Sequence, residues 1–226
     1  MWTIHSLLRD FCNNFHTQLS DPVLNNHLEN KLTDKELVAR TLSGDSKSFA
    51  TIIKNTEALV AQIVYKMVDH AEDRRDLAQE IYLKAYKKIS SFRFESKLST
   101  WIARIAYHTC INHLERKKPV WFPGSLSNSE TDNSDAFFLD FPAHAIENET
   151  VSIVSKKEIQ SILWTEVGKL DPVYKTLITL FHQEEMSYEE IAEITEMPIG
   201  TIKNYLFRAR RMLRENLLNK FKKEDL

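Results

Sequence analysis

Six side chains near the C-terminus recur at the spacing of one helical face: Lys203, Asn204, Phe207, Arg208, Arg211 and Arg214. Lys and Arg neutralise phosphate, Asn and Arg can hydrogen-bond base edges, and an apolar ring can touch a thymine methyl. At about 100° per residue, Ile202, Leu206, Ala209 and Leu213 form the opposite, core-facing stripe. A second constellation lies in the middle of the chain. The run Ser90-Ser91-Phe92-Arg93-Phe94-Glu95-Ser96-Lys97 places two rings among cations, and Trp101, Arg104, His108, Asn112 and Arg116 then share the polar side of a helix. Rings beside cations hold unpaired bases, each stacked base contributing roughly 1–3 kcal/mol. A flipped base also needs a pocket of rings and polar groups. Any one of these rings alone more often caps a core; a nucleic-acid role rests on their joint occurrence with the C-terminal helix.

The elements that must position these residues are helical throughout. Ser187 and Glu190 have capping-box spacing ahead of Ile191 and Ala192, Glu196-Met197-Pro198 interrupts, and a helix from about Ile199 to Leu218 follows. Two helices joined by so short a turn predict a helix-turn-helix, whose second helix enters the major groove. Upstream, Thr33 and Glu36 predict another helix start, and Gly44-Asp45 its end. Further helices are expected at about Ser46–Asp69, Arg74–Ser90, and from Leu98 to a basic last turn before Pro119. Residues 119–150 carry Pro123, Gly124, Pro142 and a Ser/Asn/Asp run without periodicity, which predicts a linker. A helix near Val151–Val167 and one starting at Asp171-Pro172 precede the helix-turn-helix. The expected fold is all-α: two small helical domains, 33–118 and 151–226, joined by a flexible acidic linker, the C-terminal one a helix-turn-helix. Residues 1–32 space Trp2, Ile4, Leu7, Leu8, Phe11 and Phe15 as a short amphipathic helix would, with no assigned role.

Composition narrows the function. The net charge is only −2, so this is no uniformly basic nucleic-acid coat. The charge is uneven, however: Pro119 to Ser155 holds no Lys or Arg, yet contains Glu130, Asp132, Asp135, Asp140, Glu147 and Glu149. The two cysteines, Cys12 and Cys110, make neither a metal-ligand spacing nor a disulfide framework, and reduced thiols fit a cytoplasmic protein. His5, Arg9, Asp10, Asn13 and Asn14 interrupt the N-terminal segment, which is neither signal peptide nor membrane span. No HExxH, P-loop or nucleophile motif occurs, and His108 and Cys110, two apart on a helix, diverge. No enzymatic activity, cofactor or metal site is expected.

Three motifs, in order, resemble the extracytoplasmic-function branch of bacterial RNA polymerase sigma factors. Asp76-Leu77-Ala78-Gln79-Glu80-Ile81-Tyr82-Leu83-Lys84-Ala85-Tyr86 resembles the family's polymerase-binding helix. Ser99-Thr100-Trp101-Ile102-Ala103-Arg104-Ile105-Ala106 resembles its promoter-melting segment. Tyr188-Glu189-Glu190-Ile191-Ala192 with Gly200-Thr201-Ile202-Lys203 and Arg208-Ala209-Arg210 resembles its promoter-reading helix-turn-helix. The resemblance implies that Asp76, Gln79, Glu80 and Leu83 dock on core polymerase. It implies that Phe92, Arg93, Phe94, Ser96, Lys97, Trp101, Arg104 and Asn112 bind the melted minus-ten strand. It implies that Thr201, Lys203, Asn204, Phe207, Arg208 and Arg211 read the minus-thirty-five duplex. Core RNA polymerase, promoter DNA and an anti-sigma factor are the implied partners. The linker acids could mimic RNA phosphates in the polymerase channel or form a solvated tether. Tyr107-His108, Asn112 and Asn204-Tyr205 depart from the family's usual residues, which leaves the promoter sequence open. A stand-alone regulator would leave the Asp76–Tyr86 helix and the Trp101 face without a task; a polymerase adaptor would need no DNA-reading helix.

Overall fold

The computed structural model describes residues 32–117 and 162–224, with side chains described to 219. The N-terminal extension, the acidic linker and most of the expected Val151–Val167 helix lie outside the described residues. Everything regular within them is helical.

Helix α1 (Asp34–Leu42) starts as its capping box dictates: the Thr33 amide donates to Glu36 Oε2 at 2.8 Å, and the Glu36 amide returns to Thr33 Oγ1. Gly44, at φ +93°, turns the chain in the left-handed region open to glycine. Asp45 then caps α2 (Ser46–Met67), accepting from the Lys47 amide at 3.0 Å and the Ser48 hydroxyl at 2.7 Å. Helix α3 (Ala71–Lys88) ends in a 3-10 turn, Ile89–Ser91. Helix α4 (Leu98–Lys117) has its first amide capped from across the fold, because Leu98 N–H donates to Asp34 Oδ2 at 3.0 Å. The four helices enclose Phe49, Ile52, Ile63, Ile81, Tyr82, Ile102 and Tyr107, all buried.

In the C-terminal part, residues 162–168 form a short helix, α5. Helix α6 (Pro172–His182) follows, with Pro172 in its first turn; Asp171 occupies the cap position without a side-chain cap bond. Helix α7 (Tyr188–Thr195) has the full capping box, with Ser187 N–H donating to Glu190 Oε2 and Glu190 N–H to Ser187 Oγ, both at 3.1 Å. Helix α8 (Ile199–Glu224) follows the Glu196–Pro198 turn.

Helix α6 is buried on every side from Val173 to Leu180. A helix covered all round is central to its fold rather than peripheral. It packs on α7 and α8 of its own part and on α2 of the other. Helix α4 likewise packs against α7, and the buried apolar residues of both parts belong to one continuous cluster. The two helical units are thus closed on each other.

Candidate nucleic-acid interface

Helix α8 divides as its periodicity requires. Ile202, Leu206, Ala209 and Leu213 are buried, while Lys203, Asn204, Phe207, Arg208, Arg211 and Arg214 are exposed and Thr201 is half-buried. Phe207 is 57% exposed, a large apolar ring left mostly in water, and its neighbours are cations. Two of those cations are already oriented: Lys203 Nζ sits 5.3 Å from the Tyr188 ring centroid, and Arg211 Nε donates to Glu215 Oε1 at 3.0 Å. Tyr205 escaped the helical count. It is buried beside Tyr174, with ring centroids 5.4 Å apart, and widens the core stripe of α8.

The Trp101 face is built on a ring stack. Phe92 is buried, so its ring is not offered to a ligand as the motif implied. It lies 4.7 Å from Phe94 and 5.4 Å from Trp101 and supports both from beneath. Phe94 is 42% exposed and adopts a left-handed φ of 58°, a conformation that costs a non-glycine residue about 1 kcal/mol or more. The loop therefore holds an aromatic ring outward at some expense of backbone strain. Arg93, Lys97, Arg104 and Asn112 are exposed around it, with Ser96 and Trp101 half-buried.

On α3, Leu77, Ala78, Ile81, Tyr82 and Ala85 face the core. Asp76 and Glu80 are exposed and Gln79 and Leu83 half-buried, so the four share an accessible edge; Glu80 Oε1 pairs with Lys84 at 2.7 Å. No group of three or more His, Cys, Asp or Glu side chains able to hold a metal occurs among the described residues. None of the described helices is long and apolar enough to cross a membrane.

Comparison with known proteins gives these faces a context. The family model for sigma-70 region 2 matches residues 52–120, and that for sigma-70, region 4 matches residues 160–213. The ECF RNA polymerase sigma-E factor of Haemophilus influenzae is 35% identical over 194 residues, covering 83% of this chain and 96% of that protein. The ECF RNA polymerase sigma factor SigW of Bacillus subtilis is 30% identical over 186 residues, covering 81% and 96%. The chain belongs to the extracytoplasmic-function sigma factors. As a member it directs transcription initiation through RNA polymerase. Its fold is similar to that of CnrH, solved in complex with the cytosolic domain of CnrY, with a TM-score of 0.54 at 18% identity over 81% of this chain and 96% of that one.

In this sigma factor the Trp101 face does not stand alone, because α7 lies against α4. Lys97 Nζ donates to Glu190 Oε1 at 2.8 Å, Arg104 pairs with Glu196, and His108 Nε2 is 3.4 Å from Glu196 Oε2, without hydrogen-bond alignment. The pairing holds the Glu190 carboxyl below its usual range, chiefly through the Lys97 hydrogen bond and then the Ser187 cap. The same bond raises Lys97. Burial pushes His108 below the usual imidazole value, with Glu196 opposing the shift. Beneath these pairs the Tyr107 ring is buried near Tyr205. A second contact joins α2 to the C-terminal unit: Lys66 Nζ lies 4.8 Å from the Trp164 ring centroid, and Lys175 Nζ is 3.9 Å from Asp69 Oδ1. Sequence reasoning had no pattern for these partners, although four acids on and after α7 (Glu189, Glu190, Glu193 and Glu196) stand in one chain with the cations of α4.

Proposed function

We propose that this sigma factor reads its promoter in two forms, paired and melted, while attached to core polymerase. Thr201, Lys203, Asn204, Phe207, Arg208 and Arg211 contact the minus-thirty-five element as duplex, cations on phosphate and Asn204, Phe207 and Arg208 on base edges. Arg93, Phe94, Ser96, Lys97, Trp101, Arg104 and Asn112 hold the open minus-ten strand, with Phe92 as a buried support for the rings. Stacking there offsets the unpairing of the captured bases. Asp76, Gln79, Glu80 and Leu83 dock on core polymerase, which makes the second DNA contact effectively intramolecular.

One observation carries this reading: α8 presents an exposed Phe207 between Lys203, Asn204 and Arg208 on a helix whose other side is fully packed. Such a ring is unfavourable in water and useful against a base edge. An anti-sigma protein is the further partner, and the factor works in the cytoplasm, where polymerase and promoter are.

The test is run-off transcription from a promoter library with purified core enzyme and this chain, with permanganate footprinting of the recovered promoters. Promoter-specific transcripts and reactive thymines around the minus-ten element are expected. Promoter binding that survives Lys203→Ala with Arg208→Ala would reject the duplex contact and leave a polymerase adaptor; failure to associate with core enzyme would reject the reading altogether.

A further inference from the structure

Arg210 lies outside the set of residues assigned to the duplex, because it sits where the reading face of α8 meets the buried stripe. At about 100° per residue it falls about 20° from Lys203 and two turns, about 10 Å, further along the helix. Both cations are seated on rings. Lys203 Nζ is 5.3 Å from the Tyr188 ring centroid, and the Arg210 guanidinium carbon is 5.3 Å from that of Phe181. The two rings stack on each other, with centroids 4.9 Å and planes 27° apart. Tyr188 opens α7 and Phe181 lies in the last turn of α6. A row of cation, ring, ring and cation therefore flanks α8 and draws on all three helices.

Arg210 has a further tie. Its Nε and Nη2 lie 3.3 and 3.2 Å from Nε2 of His182, the last residue of α6. A guanidinium can only donate, so the imidazole accepts through an unprotonated Nε2 and carries its proton on Nδ1. Partial burial, and then the charge of Arg210, hold His182 below the usual imidazole value, which keeps that lone pair available near neutral pH. The His182 ring stands edge-on to Phe181, at 4.9 Å and 85°, so the ring that carries Arg210 also steadies its acceptor. Arg211 donates to a carboxylate, Glu215, but the partners of Arg210 are a ring and an imidazole. They hold its positive charge in place without neutralising it.

We propose that His182 is a positioning residue for promoter binding: together with Phe181 it holds Arg210 at the rim of α8, aimed at the phosphate backbone beside the minus-thirty-five bases. This deepens, and rests on, the duplex reading of α8 given above. With Nε and Nη2 turned to His182, the guanidinium keeps its Nη1 side for an oxyanion. Phosphate is the matching target, since Arg210 stands at the margin of the face while Phe207, Arg211 and Asn204 occupy its middle. Preorganisation is what the pairing supplies: immobilising a free side chain of this length on binding weakens affinity by roughly two- to ten-fold.

The test uses the full chain on core polymerase and a duplex from a promoter that this factor uses, carrying the minus-thirty-five element and ending before the minus-ten element. Affinity is measured from about 50 to about 200 mM salt. His182 and Arg210 both reach the surface, so their replacement opens no core. Loss of one phosphate contact reduces the salt slope by about 0.9, so over that range Arg210→Ala should lose about three-fold less affinity than the parent. His182→Leu should bind roughly two- to ten-fold more weakly at every salt concentration with the parent's slope, because Arg210 still reaches the phosphate once ordered. His182→Gln, whose amide oxygen can take the place of Nε2, should bind as the parent does. Added to Arg210→Ala, His182→Leu should have no further effect. A His182→Leu effect that persists in the Arg210→Ala background, or that His182→Gln does not relieve, would make His182 structural and overturn the proposal. An unchanged slope in Arg210→Ala would overturn it too, since Arg210 would then touch no phosphate. Lys203→Ala with Arg208→Ala is the control for the underlying reading. If that pair leaves binding intact, the duplex reading fails and takes this inference with it; if it weakens binding while the Arg210 and His182 variants do not, only the inference fails.

Discussion

Two tyrosines at equal depth should respond in opposite directions to loss of their hydroxyls. Tyr82 and Tyr107 are both essentially inaccessible, at 0% and 1% exposure. The Tyr82 hydroxyl lies 3.0 Å from Thr56 Oγ1, which also bonds the Ile52 carbonyl at 2.8 Å. The Tyr107 hydroxyl has no hydrogen-bond partner among the described residues. A typical internal hydrogen bond contributes about 0.5–1.5 kcal/mol net, whereas a buried unpaired polar group costs about 1–3 kcal/mol. Tyr82→Phe should therefore destabilise by about 1 kcal/mol, its Thr56 partner being still satisfied by Ile52. Tyr107→Phe keeps the ring and removes the unpaired oxygen, so it should stabilise by about 1–2 kcal/mol. For a chain of this size those effects shift Tm by roughly 2–4 °C per kcal/mol, downward for the first and upward for the second. Urea denaturation of both variants, with m-values checked for constancy, gives the comparison directly. A loss of 1 kcal/mol or more in Tyr107→Phe would refute the reasoning, since it would mean that the hydroxyl is bonded at the seam.

Other consequences are open to simple assays. Phe207→Ala should leave stability within about 0.5 kcal/mol, as expected for an exposed side chain, yet weaken promoter binding by the polymerase complex by about 1–3 kcal/mol; a fall in Tm with unchanged promoter affinity would reverse that assignment. Acidification should open the two units. Glu190 is held below the usual carboxylate range and His108 below the usual imidazole value, so their support for the closed form is complete above those ordinary values and fades as pH falls through the lowered ones. The charged groups facing them across the seam are Lys97, Arg104 and Glu196, with Lys66, Asp69 and Lys175 at the second contact. Energy transfer between dyes placed on the two units should hold above about pH 6.5, decline below it as His108 protonates, and decline further below about pH 4.5 as Glu190 does; a rise would contradict the sign. Cys110 is buried and its thiol is pushed up to about 12 by desolvation, so thiol reagents should spare it in the native protein and reach it on unfolding.

What could be read in the sequence was what local physics determines. Both capping boxes, the Gly44 turn and the two faces of α8 follow from spacing and backbone chemistry within a few residues, and the structure has them in place. The Trp101 face was legible as a mixture of rings and cations, but which ring is covered was not. Phe92 and Phe94 are two apart in a loop, and only the fold decides that the first is buried beneath the second. Long-range partners were equally out of reach. Nothing near Leu98 says that its amide is capped by Asp34, 64 residues earlier. Helix α6 offered one apolar stripe through Tyr174, Leu177, Ile178 and Phe181, yet Lys175, Thr176 and Thr179 are buried as well. Periodicity reports one buried face and is blind to a second that polar residues cover.

That second face bears on the residues that departed from the family's usual pattern. Tyr107, His108 and Tyr205 belong to motifs assigned to DNA, and as DNA contacts they are odd choices. In the structure two of the three are buried, and His108 meets Glu196. Tyr107 and Tyr205 are close enough that ionisation of Tyr205 would oppose that of Tyr107, although they come from opposite units. Residues on one helix can serve a DNA groove and an intramolecular seam only if the two uses take different faces or different moments. Helix α8 separates them by face, with Tyr205 inward and Phe207 outward. On α4, Arg104 meets Glu196 while Asn112, two turns on, stays exposed.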